Sequence, residues 1–180
     1  MGDKNITPAL TGFPTTKPAI HMKAGLAGQF PCGEIYTGST LIGVPLSWGV
    51  IESVGDFEPK IKFTKIHGHD WFRIDADKKH GRFNVSLIAT DEEGRSIRLN
   101  ADGVVELNEH TMPLLMGDPN AKTNPWGFGV EHLKFEGGHD VYKPLEGMLF
   151  ACSQRFVKSD DGEVSVEIRA SKIIAGSGLE

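Results

Sequence analysis

The sequence predicts an all-β fold, a single antiparallel β-barrel of about eight or nine strands, on three observations. Across 180 residues there are 22 glycines and 10 prolines, and no stretch sustains the i, i+3, i+4, i+7 apolar spacing of a helix. Short runs instead alternate apolar and polar residues, the period of a half-buried strand. The runs are numerous and parted by Gly, Pro or Asp turns, so the sheet must hide its edges, which closure does most completely.

Taken in order, residues 1–28 mix Pro, Thr, Lys and Gly and read as a loosely ordered N-terminal arm. Residues 29–175 read as the barrel domain, and 176–180 as a tail carrying no structural weight. Strand-like runs occupy 34–44, 48–54, 60–67 and 71–74. In 82–90, Phe83, Val85, Leu87 and Ala89 fall on one face, against Asn84, Ser86 and Thr90 on the other. Further runs cover 95–107, 130–136 and 148–157. The last strand sets Val164, Val166, Ile168 and Ile174 against Glu163, Ser165, Glu167, Arg169 and Ser171. One long segment, 108–129, does not alternate, yet it carries His110, Met112, Leu114, Leu115, Met116, Trp126 and Phe128. A loop of that length in a compact domain is usually functional. It reads as a lid over a barrel mouth, with Trp126 and Phe128 against the ligand, or alternatively as a plug that caps the core.

The net charge of −5 leaves no basic excess for a nucleic-acid partner. No apolar run reaches membrane-spanning length, and the N-terminus lacks the pattern of a secretory signal. A cytoplasmic location follows as the expectation, with Cys32 and Cys152 as free thiols. A homodimer stays open.

Chemistry is sought among polar residues in phase with apolar faces, because burying such a group is costly unless something satisfies it. Glu52 shares a face with Trp48, Val50 and Val54; Asp70 with Phe72 and Ile74; Glu131 with Leu133 and Phe135. Gln154 aligns with Phe150, Cys152 and Phe156, Tyr36 with Ile42 and Val44, and Lys172 with Ile168 and Ile174. If these faces point inward, Asp70, Glu131, Glu52 and Tyr36 are acid–base candidates whose carboxyl pKa values burial and crowding would raise. Trp48, Trp71, Trp126, Phe128, Gln154 and Lys172 are the expected substrate contacts. One bulge would flip a strand's phase, and Gly38, Gly43, Gly49, Gly68 and Gly103 are places for one. The alternative readings make Asp70 a turn residue, Trp71 a core anchor, and Glu52 and Lys172 solvated rim residues. His67 and His69 share one side of a strand, a spacing metal ligands can use, but no motif fixes a third ligand. No metal and no cofactor is expected.

Gly68-His69-Asp70-Trp71, followed by Thr90-Asp91-Glu92-Glu93-Gly94 and by the segment 135–157, resembles the DUF3237 (UPF0311) family, as a divergent member of fungal type. The resemblance spans roughly 34–174 and implies a small β-barrel; it transfers no catalytic residues. His67 stands where the family pattern has glycine, Asn84-Val85-Ser86 where it has Asp-Val-Arg, and Tyr142-Lys143-Pro144-Leu145-Glu146 keeps only the Tyr and Leu of Tyr-Ala-Trp-Leu-Asn. These departures imply a different ligand.

Two functions follow. The first is a cofactor-free enzyme acting on a hydrophobic small molecule, an isomerase, cyclase or lyase of secondary metabolism, using carboxyl and tyrosine groups. The alternative is a non-catalytic binding or carrier barrel.

Overall fold

A computed structural model describes residues 11–177. Its strands are β1 (Thr15–Leu26), β2 (Phe30–Glu34), β3 (Thr40–Ser53), β4 (Lys62–Phe63), β5 (Lys65–Ile74), β6 (His80–Thr90), β7 (Ser96–Glu106), β8 (Gly129–Glu136), β9 (Phe150–Lys158) and β10 (Val164–Ile174). A single α-turn, α1 (Met112–Leu115), and one 3-10 turn (Lys143–Gly147) are the only helical pieces among the described residues. Eight strands form a closed antiparallel ring in the order β1-β10-β9-β8-β7-β6-β5-β3, and β3 pairs back onto β1. The short β2 and β4 are added along β3. Closure leaves the eight main strands without a free edge.

Period-two alternation puts one face of each strand inside. Ile66, Asp70 and Phe72 of β5, Phe83, Leu87 and Ala89 of β6, and Ile97, Leu99 and Val105 of β7 lie inward. A barrel this narrow needs small residues opposite large ones. Gly103 meets that need: a Cβ there would sit 2.2 Å from Phe83 Cζ and 2.6 Å from Glu131 Cβ. Strand phase therefore runs unbroken through Gly68 and Gly103.

Where the phase does break is β3. The runs expected at 34–44 and 48–54 form one 14-residue strand from Thr40 to Ser53. Its pairing with β1 slips, so that Leu26 meets Leu46 while Gly25 meets Trp48. Ile42 and Val44 are buried before the slip, and Gly49 and Ile51 after it. Trp48, Val50 and Glu52 consequently take the outer wall, which corrects the expectation that Glu52 and Trp48 face the interior. Tyr36 lies in the β2–β3 turn and is 99% exposed, so it too leaves the interior. The arm expected over 1–28 is corrected in its second half, since 15–26 form β1 and bury Ala19, Ile20, Met22 and Ala24. Residues 1–10 and 178–180 lie outside the described residues.

The two ends of the barrel differ. At one end Phe57, Ile61 and Phe63 from the segment after β3, with Tyr142 and Leu145 from the segment before β9, pack into a plug. Phe150 lies edge-on to Phe57 and Phe135, with ring centroids 5.9 and 5.7 Å apart. Asp91 sits beneath this plug in the β6–β7 turn, which Gly94 closes at φ 80°. The Asp91 carboxylate accepts from Arg95 N at 2.8 Å, Arg95 Nε at 2.6 Å and the Tyr142 hydroxyl at 2.5 Å. Burial acts to raise the Asp91 pKa, but hydrogen bonds from Tyr142 and Arg95 outweigh it and hold the carboxyl well below the usual range. The Thr-Asp-Glu-Glu-Gly turn is thus a structural clasp.

Candidate functional site

At the other end the barrel encloses a cavity of about 100 Å³. Its wall is nearly all apolar: Ile42, Val44, Phe72, Phe83, Leu133 and Phe156 are representative. The segment between β7 and β8 roofs it, as Met112, Leu115 and Met116 line the cavity and Leu114 is buried in the cluster beneath. Gln29 braces this roof by donating to the Leu115 carbonyl at 2.6 Å.

Five polar residues contribute to the lining, Lys23, Gln29, Asp70, Glu131 and Gln154, and the last three interrupt the inner faces of the strands. Asp70 is carried by β5, Glu131 by β8 and Gln154 by β9. Glu131 is 7% exposed and Gln154 6%. In register, Glu131 lies between Gly103 of β7 and Cys152 of β9, and Gln154 pairs with Gly129 and Ile168. Glu131 and Gln154 are therefore diagonal neighbours on the inner face. In the ring of eight, β5 stands directly across from β9.

The electrostatics reverse those of Asp91. Burial, and then the charge of Asp70, push the Glu131 carboxyl up to about 8. Its Oε1 is buried with no hydrogen-bond partner among the described residues. Burial raises Asp70 to about 7, against a backbone hydrogen bond from Asn84 N at 3.0 Å and the nearby Arg73 charge. The two carboxyls titrate as a coupled pair, and the negative charge is better placed on Asp70, which accepts the Asn84 N–H, than on Glu131, whose Oε1 has no donor among the described residues. Burial, with Glu131 alongside, also pushes the Cys152 thiol upward, which keeps it protonated and weakly nucleophilic. Both cavity carboxyls are thus pushed up from the ordinary carboxylate range toward neutral pH.

The remaining sequence candidates lie elsewhere. Glu52 is on the outer wall, 3.7 Å from His21 Nδ1. Trp48 is 37% exposed, with its indole N–H donating to Glu163. Trp71 is 38% exposed, edge-on to His69 outside the barrel. Lys172 pairs with Phe150 and Lys17 at the plugged end and does not line the cavity. Trp126 and Phe128 belong to the roofing segment but not to the roof. Trp126 is held against the outer wall between Arg155 and Arg169, whose guanidinium carbons lie 4.9 and 4.8 Å from the ring centroid. Phe128 stacks on His110 with centroids 5.3 Å apart. The large aromatics of this segment are not the roof; Met112 and Leu115 of α1 and its C-cap Met116 are the better signal, since they follow helical spacing. His67 and His69 are exposed on the outside of β5. The described residues that could hold a metal are Asp75, Asp77 and His80 in the β5–β6 turn, whose ligand atoms lie within 4.8 Å of one another. Asp75 already pairs with Arg82 at 3.0 Å, and Asp77 accepts from Lys79 N. Cys32 and Cys152 are both free, and no described helix is long and apolar enough to cross a membrane.

Fold and cavity together define the class: a small eight-stranded antiparallel β-barrel, plugged at one end and roofed at the other over an apolar chamber. The chain belongs to the family described as "Protein of unknown function (DUF3237)", whose model matches residues 14–173. No curated protein matches it. Among solved structures it is similar to a conserved protein of unknown function from Rhodopseudomonas palustris, with a TM-score of 0.71 and 19% identity over 91% of this chain and 100% of the other. A β-barrel-like protein from Acinetobacter baumannii aligns with a TM-score of 0.64 and 16% identity over 94% of this chain and 100% of the other. A protein with unknown function from Clostridium acetobutylicum gives 0.63 and 14% over 89% and 99%. At these identities the likeness shows the fold alone.

Proposed function

We propose that this barrel is an acid–base enzyme for a small hydrophobic molecule, working as an isomerase, cyclase or lyase with Glu131 as proton donor and Asp70 as proton acceptor. The observation that carries the reading is the pair of carboxyl groups in one apolar cavity wall, one of them with a buried oxygen that nothing in the described chain satisfies. A carrier has no use for an unpaired buried acid, which costs roughly 1–3 kcal/mol of folding stability. An enzyme does, because a donor and an acceptor poised near the working pH are what proton transfer requires. Isomerisation, cyclisation and elimination each remove one proton and return one, which these two groups suffice to do. The apolar wall strengthens both groups' electrostatics by excluding water. At about 100 Å³ the chamber is below the roughly 300–1,000 Å³ of drug-sized sites. Its substrate is therefore compact, or enters as Met112, Leu115 and Met116 move aside.

Proton transfer can be read without knowing the natural substrate. The protein would be incubated in D2O at pH 7 with a panel of small neutral ketones, lactones, esters and activated alkenes, and deuterium uptake or rearrangement followed by mass spectrometry. The expected result is uptake by the wild type that falls by about a hundredfold or more in Glu131→Gln and in Asp70→Asn. Panel members that bind, as seen by ligand-detected NMR, while none exchanges or rearranges would put the carrier reading in its place.

A further inference from the structure

We propose that the chamber takes a neutral carbonyl compound, its oxygen held between Glu131 and Gln154 and its α-carbon turned toward Asp70. This rests on the acid–base reading of the same cavity and assigns the substrate class. Three features of the wall select it.

The first is the absence of a positive partner. Lys23 is the one cationic residue contributing to the cavity wall among the described residues, and its ammonium lies outside, 5.9 Å over the Trp48 ring. A carboxylate or phosphate ligand would enter with its charge unpaired, at prohibitive desolvation cost. The second is what Glu131 and Gln154 offer. Glu131 pairs across the sheet with Gly103 and Cys152, neither of which supplies a strong donor, and its buried Oε1 has no hydrogen-bond partner among the described residues, so the protonated form is favoured and acts as a donor. Gln154 also lines the cavity, and it lies diagonally beside Glu131 on the inner face with an amide N–H to offer. A protonated carboxyl at Glu131 and an amide N–H at Gln154, which lies over Gly129 two residues along β8 from Glu131, put two donors on one stretch of apolar wall; together they match an acceptor oxygen with two lone pairs, the arrangement that stabilises a developing enolate. The third is Asp70 on the strand across the ring. One of its oxygens is occupied by Asn84 N–H, and its neighbours in the wall, Phe72, Phe83 and Val85, are apolar. A base so placed meets the carbon framework of the ligand, and the carbon whose proton is acidic enough to remove is the one beside a carbonyl.

The step balances within the three groups. The Asp70 carboxylate takes the α-proton, the C–H pair becomes the new C=C bond, and the carbonyl π pair takes the Glu131 proton, giving the enol, protonated Asp70 and ionised Glu131. Asp70 then returns its proton to the α-carbon or, in an unsaturated ketone, to the far carbon of the conjugated system, while Glu131 recovers the hydroxyl proton. The net change is a proton shift with no oxidant or reductant.

Matched five-membered probes test the class: cyclopentanone, methylenecyclopentane, cyclopentanol and cyclopentylamine, with affinities read from protein-detected NMR titrations. Cyclopentanone should bind about tenfold tighter than methylenecyclopentane, which has its shape without the acceptor, and tighter than the alcohol or the amine. In Glu131→Leu the ketone advantage should vanish while methylenecyclopentane binds at least as well, a control that the chamber is intact. Raising the pH above about 8, where Glu131 ionises, should also remove the ketone advantage. Equal affinity for ketone and hydrocarbon, or tighter binding of the alcohol or the amine, overturns the assignment. The two failures are distinguishable: ketone-selective binding without deuterium uptake at the α-carbons removes the acid–base reading and leaves a ketone-binding chamber. Deuterium uptake or rearrangement confined to non-carbonyl panel members keeps that reading and removes the carbonyl class.

Discussion

Asp91 and Glu131 are both buried carboxyls inside the same barrel, at opposite ends, and they have been treated in opposite ways. Asp91 receives three donors, from Arg95 twice and Tyr142 once, and is ionised well below the usual range. Glu131 receives none at Oε1 among the described residues and is pushed up to about 8. A fully satisfied buried charge fixes a turn and a plug; an unsatisfied one is a cost that folding alone does not explain. The plugged end is organised for stability, and the chamber carries the unsatisfied group on which the proposed chemistry rests.

The largest expected effect is at the plug. Asp91→Ala strips the carboxylate from Arg95 and Tyr142, and removal of one partner of such a pair costs about 3–5 kcal/mol. Chemical denaturation should show that loss. A change below about 1 kcal/mol would mean that the clasp is not structural and would erase the contrast between the ends.

Next comes the pH dependence of stability, where the chamber carboxyls act with the less common sign. Glu131 and Asp70 have folded-state values raised above 4.5 and 3.8, so between those values and about 8 and 7 the folded chain binds more protons than the unfolded one. Their contribution is favourable at low pH and is lost as pH rises through that window. Stability should therefore fall by a few kcal/mol between pH 5 and pH 9, and Glu131→Gln should flatten most of the slope. A wild type as stable at pH 9 as at pH 5 would show that Glu131 is solvated, like an ordinary surface acid.

The smallest effect separates roof from anchor within the segment joining β7 and β8. Trp126→Ala removes the ring held between Arg155 and Arg169 and should cost about 1–2 kcal/mol, leaving cyclopentanone affinity unchanged. Leu115→Ala, in the roof, should alter that affinity severalfold with a similar or smaller stability loss. The reverse pairing of effects would place the ligand against the outer wall and not in the chamber.

The sequence by itself determined the architecture, because alternation with a period of two is a local property: each strand that reads apolar-polar must put one face in a core, and so many strands without helices must close. It also put Asp70, Glu131 and Gln154 on apolar faces, since each lies on a strand whose phase is unbroken. Only the tertiary structure decided the rest. Glu52 and Trp48 moved outside because β3 slips register against β1, an event visible only where Gly25 meets Trp48 and Leu26 meets Leu46, residues far apart in the chain. Tyr36 fell in a turn whose position depends on where β2 and β3 meet. Trp126 became an outer-wall anchor because Arg155 of β9 and Arg169 of β10 flank it, which no spacing in its own loop could foretell. Whether a buried carboxyl is satisfied or left unpaired was likewise beyond the sequence, because that depends on the donors that distant segments bring to it, as Tyr142 is brought to Asp91 and nothing among the described residues is brought to Glu131 Oε1.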